Sequence, residues 1–235
     1  GELSHEQLTQ MYEIMGRYYS NLSLEQFDKD LKEKQKIILL RESQEGQVCG
    51  FSTQTTFSIK GREGPVKILF SGDTIIERRF WYSNPLAGLW GKMALDLLEQ
   101  TPEGQLYWLL LTKGFRTYRF LPVFFNEYYP RHDRPTPEAV SELIAVAVSY
   151  KYPDRYDGKT GILYADQYYL RSNYAEIRTE RLENPHIRFF MEKNPGFVRG
   201  DELCCITPIT RENFKPAAYR VMGLKAPDRV AGQGR

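Results

Sequence analysis

The sequence predicts an α/β (α+β) fold, a mixed sheet flanked by helices. Three observations point there. Hydrophobic periodicity over residues 1–130 reads as α-α-β-β-β-α-β-α. Two turn-forming stretches, Glu45-Gly46-Gln47 and Gly61 to Pro65, join the first three strands as hairpins. A helical stretch joins the third strand to the fourth, so the sheet is not a simple parallel array.

Each element has its own warrant. Ser4 caps a first helix, with Gln7 three residues on and Leu8, Met11, Tyr12, Met15 and Tyr19 at helical spacing. Ser23 starts a second over Leu24, Phe27 and Leu31, with Gln26 at the capping-box position. The apolar KIILLRE and the returning VCGFSTQTTFSI read as strands. In VKILFSGDTIIERRFW, a third strand, the internal Gly72 marks a bulge or a close backbone approach. Asn84 and Pro85 open the next helix, which carries Leu86, Leu89, Met93, Leu97 and Leu98 and stops at Pro102 and Gly104. LYWLLL follows as a buried strand, and Gly114 then punctuates. TYRFLPVFFNEYYP is helical, kinked or divided at Pro122.

Beyond a polar connector, Arg131 to Pro135, a helix starting at Thr136-Pro137-Glu138 carries Val140, Leu143, Ile144, Ala147 and Val148. Tyr-rich sequence runs from Tyr150 to Arg171 around a turn at Gly158 to Gly161. HIRFFMEK is a helix ended by NPG, and ELCCITPIT a strand returning into the core. The expected organisation is a core over 1–130, a C-terminal extension over 131–224 that completes the sheet, and a flexible tail over 225–235.

The formal net charge is +2, so no strong field calls for nucleic acid or an anionic membrane. Basic clusters are interspersed with acidic residues and read as solvated faces. His5, His132 and His186 lie far apart without a second ligand at helical spacing, so no metal is expected. Three cysteines, Cys49, Cys204 and Cys205, make no disulfide framework. The opening GELSHEQLTQMYEIM lacks a signal-peptide pattern, and no apolar run approaches a membrane span of roughly 20 residues. The expected compartment is the cytoplasm.

A helix pair, antiparallel strands, then strand-helix-strand-helix resembles the order of the GNAT superfamily of N-acetyltransferases, over Leu8 to Tyr129. The blocks GFSTQTTF, FSGDTIIERRFW, LYWLLLTKGFRTYRFLP and NPGFVRGDELCC resemble, at finer grain, bacterial GNAT-like maturases that attach fatty acyl groups to amino side chains of ribosomally made peptides. The resemblance implies a mostly antiparallel sheet with a helical and strand C-terminal extension. It implies an N-acyltransferase without a permanently bound cofactor. Its donor would be an acyl-CoA or acyl-carrier-protein thioester. Its acceptor would be a Lys or ornithine-type amine, on a precursor peptide. The alternative is a non-catalytic acyl- or peptide-binding module on the same scaffold.

The superfamily's phosphate signature, Arg/Gln-x-x-Gly-x-Gly/Ala, places pyrophosphate on a helix N-terminus. Here ERRFWYSNPLAGLWGK stands in that place and does not match, which puts ordinary coenzyme A recognition in doubt. Arg78 and Arg79 supply positive charge there, either for the donor or as strand-end surface charges. Thr112, Lys113, Gly114 and Arg116, where the LYWLLL strand turns abruptly polar, form the expected lip of the donor cleft.

Acyl transfer to an amine needs a base, oxyanion donors and an acid for the thiolate. By resemblance, Asp73 is the expected base or positioning group, with Glu77 second because period 2 puts it on the same sheet face. Backbone around Gly72 and Thr74 would supply the oxyanion donors, and Tyr118, at the helix entry, the acid. A packed core Tyr is the competing account of Tyr118. Tyr128 and Tyr129 are lesser candidates, and His132 is the one imidazole near this region. The cysteines raise an acyl-enzyme route, but their apolar neighbours favour inert buried thiols. FRTYRFLPVFFNEYY and DQYYLRSNY would stack on nucleobases, wall an acyl tunnel or simply pack.

Overall fold

The computed structural model describes residues 3–44, 46–81, 85–101, 105–165 and 168–227. Its helices are α1 (His5–Tyr18), α2 (Leu24–Lys32), α3 (Pro85–Glu99), α4 (Phe115–Tyr118), α5 (Phe120–Phe124), α6 (Glu138–Lys151), α7 (Ser172–Ala175), α8 (Pro185–Lys193) and α9 (Pro216–Met222). Its strands are β1 (Tyr19–Ser20), β2 (Lys36–Arg41), β3 (Val48–Gly61), β4 (Gly64–Ile76), β5 (Gln105–Thr112), β6 (Tyr156–Asp157), β7 (Ile162–Leu163), β8 (Tyr169–Leu170) and β9 (Glu202–Pro208).

Among the described residues the main sheet has seven strands in the order β2-β3-β4-β5-β9-β7-β6. Of these, only β4 and β5 run parallel, as the helical crossover α3 between them requires; the other neighbours are antiparallel. The fold is therefore mixed α/β with a mostly antiparallel sheet. β9, the expected return strand, inserts beside β5, and with β7 and β6 it extends the sheet formed by the first half.

Strand alternation divides the core. Trp108, Leu110 and Cys205 face one side, against α3, α8 and α9. Leu109, Cys204 and Ile206 face the other, against Ile144, Ala147 and Val148 of α6. A third cluster seats Met11, Ile14 and Met15 of α1, with Phe27 and Leu31 of α2, on Phe51 and Ile75. Cys49, Cys204 and Cys205 are free and buried, and burial pushes all three thiols upward, so they pack rather than react.

Some local details match the sequence expectation and several differ. Ser4 and Gln7 form the full reciprocal capping box. At Ser23 only half forms, because the Gln26 amide donates to Asp30 Oδ1 at 2.8 Å instead. Tyr19 leaves the first helix to pair with β8. The third predicted strand ends at Ile76, and Arg78–Phe80 is a single 3₁₀ turn. The helix predicted over TYRFLPVFFNEYYP is two short helices, with Pro122 inside the second, and Phe125 is already extended to bridge Phe214. Glu45, Asn84, Pro102 and Gly104 lie outside the described residues, as does the predicted tail beyond Pro227. Among the described residues no helix is long and apolar enough to cross a membrane.

Two glycines let α9 approach α3. A Cβ on Gly88 would stand 2.5 Å from the Val221 carbonyl oxygen, and one on Gly91 2.7 Å from Met222 Sδ. Gly88→Ala must push backbone away from backbone, so a loss of about 1–3 kcal/mol is expected in urea unfolding. A midpoint unchanged from wild type would contradict this contact.

Candidate functional site

β4 and β5 are paired from Val66/Gln105 to Ser71/Leu110 and then part. Past that point β4 continues along β3 and β5 along β9. At the fork β4 is bulged: Ser52 faces Thr74 and Gln54 faces Ser71, so Gly72 and Asp73 together oppose Thr53. Backbone groups on the β5-facing edge of β4 lose their ladder partner there. A cavity of about 420 Å³ opens from the fork.

One end of the cavity is apolar and aromatic, walled by Trp90, Trp108, Phe124, Phe125, Phe214 and Met222. The Trp90 and Trp108 rings lie 4.3 Å apart. Both indole N–H groups donate to Ser71 Oγ at 3.0 Å, and Ser71 donates to Gln54 Oε1 at 2.7 Å. Gln54 Nε2 donates to Ser52 Oγ at 2.6 Å, and Ser52 shares a 2.7 Å bond with Thr74 Oγ1. This chain of hydroxyl, amide and hydroxyl runs from the aromatic wall to the bulge, with Ser71, Gln54 and Ser52 buried.

The other end is polar. Tyr168 donates its hydroxyl to Asp73 Oδ1 at 2.6 Å. Lys113 Nζ lies 3.7 Å over the Tyr168 ring, donates to the Tyr168 carbonyl at 3.1 Å, and stands 3.5 Å from Glu202 Oε1. Burial raises the Glu202 carboxyl, against the lowering effect of Lys113, and raises the Tyr19 and Tyr168 hydroxyls. Tyr19, Asp30, Lys34 and Tyr152 complete this end.

The expected residues divide sharply. Gly72, Asp73, Thr74, Thr112, Lys113, Gly114 and Arg116 all line the cavity. Thr112 Oγ1 accepts from Gly114 N at 3.2 Å and donates to Gly114 O at 3.0 Å, which fixes the turn at the lip. Arg116 donates to the Tyr174 carbonyl at 2.7 Å and lies 5.2 Å over the Trp81 ring. Burial, then Arg181 and Arg78, lowers its guanidinium from the usual range.

The other expected residues lie outside the cavity wall. Tyr118 is fully buried, donates to the Pro130 carbonyl at 3.0 Å, and does not line the cavity. Burial pushes its hydroxyl far up, so the core account holds. Glu77 follows the end of β4 and is held by Arg17 at 2.5 Å and Arg79 at 2.8 Å, away from Asp73. Arg79 is spent on Glu42 and Glu77, and neither it nor the exposed Arg78 lines the cavity. His132 is exposed, edge-on to His186 at 4.5 Å, and outside the cavity wall. Tyr128 and Tyr129 are likewise buried outside it.

Sequence reasoning missed Tyr168, Tyr19, Asp30, Lys34 and Glu202. Tyr168 lies within the block DQYYLRSNY, whose three tyrosines nothing in the sequence ranks. Among the described residues no group of three or more His, Cys, Asp or Glu side chains is arranged to hold a metal. Neither a protein-family model nor a curated protein matches the chain.

Two outcomes test this geometry. Ser71→Ala strands two indole donors and an amide oxygen, each costing about 1–3 kcal/mol when left unpaired in the interior. The expected result is a loss of at least about 2 kcal/mol in urea unfolding and altered tryptophan emission. The second concerns Lys34, whose ammonium is lowered by burial, against the raising effect of Asp73. Unfolded chain holds that proton to higher pH, so stability rises between the lowered native pKa and the ordinary lysine value near ~10.4. Lys34→Met should flatten this rise in urea midpoints measured from neutral pH to about 10; an unchanged slope would refute it.

Proposed function

We propose that the chain is a GNAT-type N-acyltransferase that moves an acyl group, a fatty one, from a thioester to an amine. The observation that carries the reading is the fork of the parallel pair β4 and β5 onto a cavity with a bulged carboxylate at one end and an aromatic wall at the other. The element order supports it too, and the resemblance in sequence blocks supplies the chemistry.

On this reading the thioester carbonyl lies at the fork. Unpaired backbone around Gly72 and Thr74 supplies donors to the oxyanion. Asp73, oriented by Tyr168, takes the proton from the acceptor ammonium, directly or through water. With Tyr118 in the core, the tyrosines at the polar end of the cavity are Tyr19, Tyr152 and Tyr168. The acyl chain occupies the aromatic end, where about 25 cal/mol is gained for each Å² of apolar surface removed from water. Arg116, beside Trp81, meets phosphate of an acyl-CoA or carrier-protein arm. The acceptor is a Lys or ornithine-type side chain of a modified peptide, and the setting is cytoplasmic.

Incubation with medium-chain acyl thioesters and a panel of amines and peptides, followed by mass spectrometry, tests the reading. A gain of one acyl mass on an amine is expected. Asp73→Asn should cut turnover by about 10²-fold or more, whereas Tyr118→Phe, once shown to be folded, should stay within about twofold because its hydroxyl does not face the cavity. Binding of the thioester with neither transfer nor hydrolysis would overturn the enzyme reading in favour of an acyl- or peptide-binding module.

A further inference from the structure

Lys34 lies between α2 and β2, and its side chain crosses the bulge of β4. A Cβ on Gly72 would stand 2.8 Å from Lys34 Cε and 3.4 Å from Lys34 Nζ. With a glycine at 72 the lysine passes close against the strand. The amine thus ends against the bulge, in the polar end of the cavity, among Asp30 of α2, Asp73 of β4 and Lys151 of α6.

Its partners are unusual for a lysine so placed. Lys34 and Lys151 approach the same Phe70 ring, at 5.9 and 5.5 Å from its centroid. Lys151 is neutralised by Glu33 at 3.1 Å. Among the described residues the Lys34 ammonium makes no ion pair within 4.0 Å and donates no side-chain hydrogen bond; it faces the Phe70 ring, with Asp73, Asp30 and Glu33 acting on it at longer range. Beside it the Thr53 hydroxyl, fully buried, is also without a partner and would lie 2.6 Å from that same Cβ. Desolvation favours the neutral amine, and burial lowers this one although Asp73, Asp30 and Glu33 act to raise it. A neutral amine has the lone pair that a nucleophile needs.

We infer that Lys34 is an internal acceptor: when a thioester fills the cavity and no outside amine is present, the acyl group passes to Lys34 Nζ. The lysine nitrogen bonds to the carbonyl carbon and the carbon–sulfur bond breaks. The nitrogen loses one proton, the departing sulfur gains one, and the products are an Nε-acyl-lysine and a free thiol. The inference rests on the acyltransferase reading but goes beyond it, because it assigns a modification site. An acylated Lys34 occupies the amine's place and closes the site to other acceptors.

The test uses the whole chain with a medium-chain acyl-CoA, without and with an amine panel, followed by peptide mapping. Without amine, one acyl increment is expected on the peptide containing Lys34, at least tenfold above any other lysine. It should be absent from Lys34→Arg, shown to be folded by circular dichroism, and suppressed by a good outside amine. Acylation of outside amines when they are supplied, with Lys34 still unmodified in the arm without amine, would overturn the internal acceptor and leave the transferase standing. Acylation spread evenly over surface lysines, or equally strong in urea-unfolded chain, would overturn it as adventitious chemistry. No acylation of any amine, inside or outside, would overturn both readings.

Discussion

The Ser71 hydroxyl holds the site together. Ser71 is the last residue of β4 that pairs with β5, so the sheet divides one residue beyond it. Its single oxygen accepts two indole N–H groups and donates to Gln54, and so binds the aromatic wall, the fork and the β3 strand at one point. A hydroxyl has one proton and two lone pairs, and all are used here. An apolar residue would leave both indole N–H groups without their shared acceptor. The shape of the cavity follows from this satisfied oxygen as much as from hydrophobic packing.

The fold was legible where local signals and long-range pairing agree. Gly72 announced its bulge because a glycine inside an apolar strand has few other uses, and Asp73 came with it. The abrupt change after Leu111 marked the lip, since backbone leaving the sheet at a cavity must be polar. Tyr118 lies in the predicted element but faces the core instead of the cavity. Helix entry can be read locally, whereas its direction is set by Phe189 and Phe190 of α8, whose rings lie 6.1 and 5.7 Å away. Glu77 failed for a different reason. Counting by twos assumes an unbroken strand, and here a bulge intervenes and the strand ends at Ile76. Tyr168, Lys34 and Glu202 come from three separate stretches, and only tertiary packing brings them to Asp73.

The polar end is close to electrical balance yet unevenly paired. Glu202 has Lys113, and Asp73 has a neutral hydroxyl donor in Tyr168. Asp30 has the Gln26 amide at 2.8 Å rather than a cation. Such partners orient a carboxylate through a neutral donor, and the cation nearest to Asp73 and Asp30 is Lys34, which acts on both without a direct ion pair. Lys113 holds Tyr168 through both ring and carbonyl while it faces Glu202.

The insertion of β9 beside β5 has a consequence for how the cavity comes into being. β5 is central, but one of its two neighbours arrives only from far downstream, along with Tyr168, Glu202, Phe214 and Met222 of the cavity wall. Until that segment is in place, β5 presents an open edge with apolar faces, the kind of surface that recruits other chains. Contacts so distant in sequence also slow the final assembly. The cavity wall is therefore complete only when residues distant in sequence have come together, and a chain lacking the β9 segment would leave β5 with an open edge.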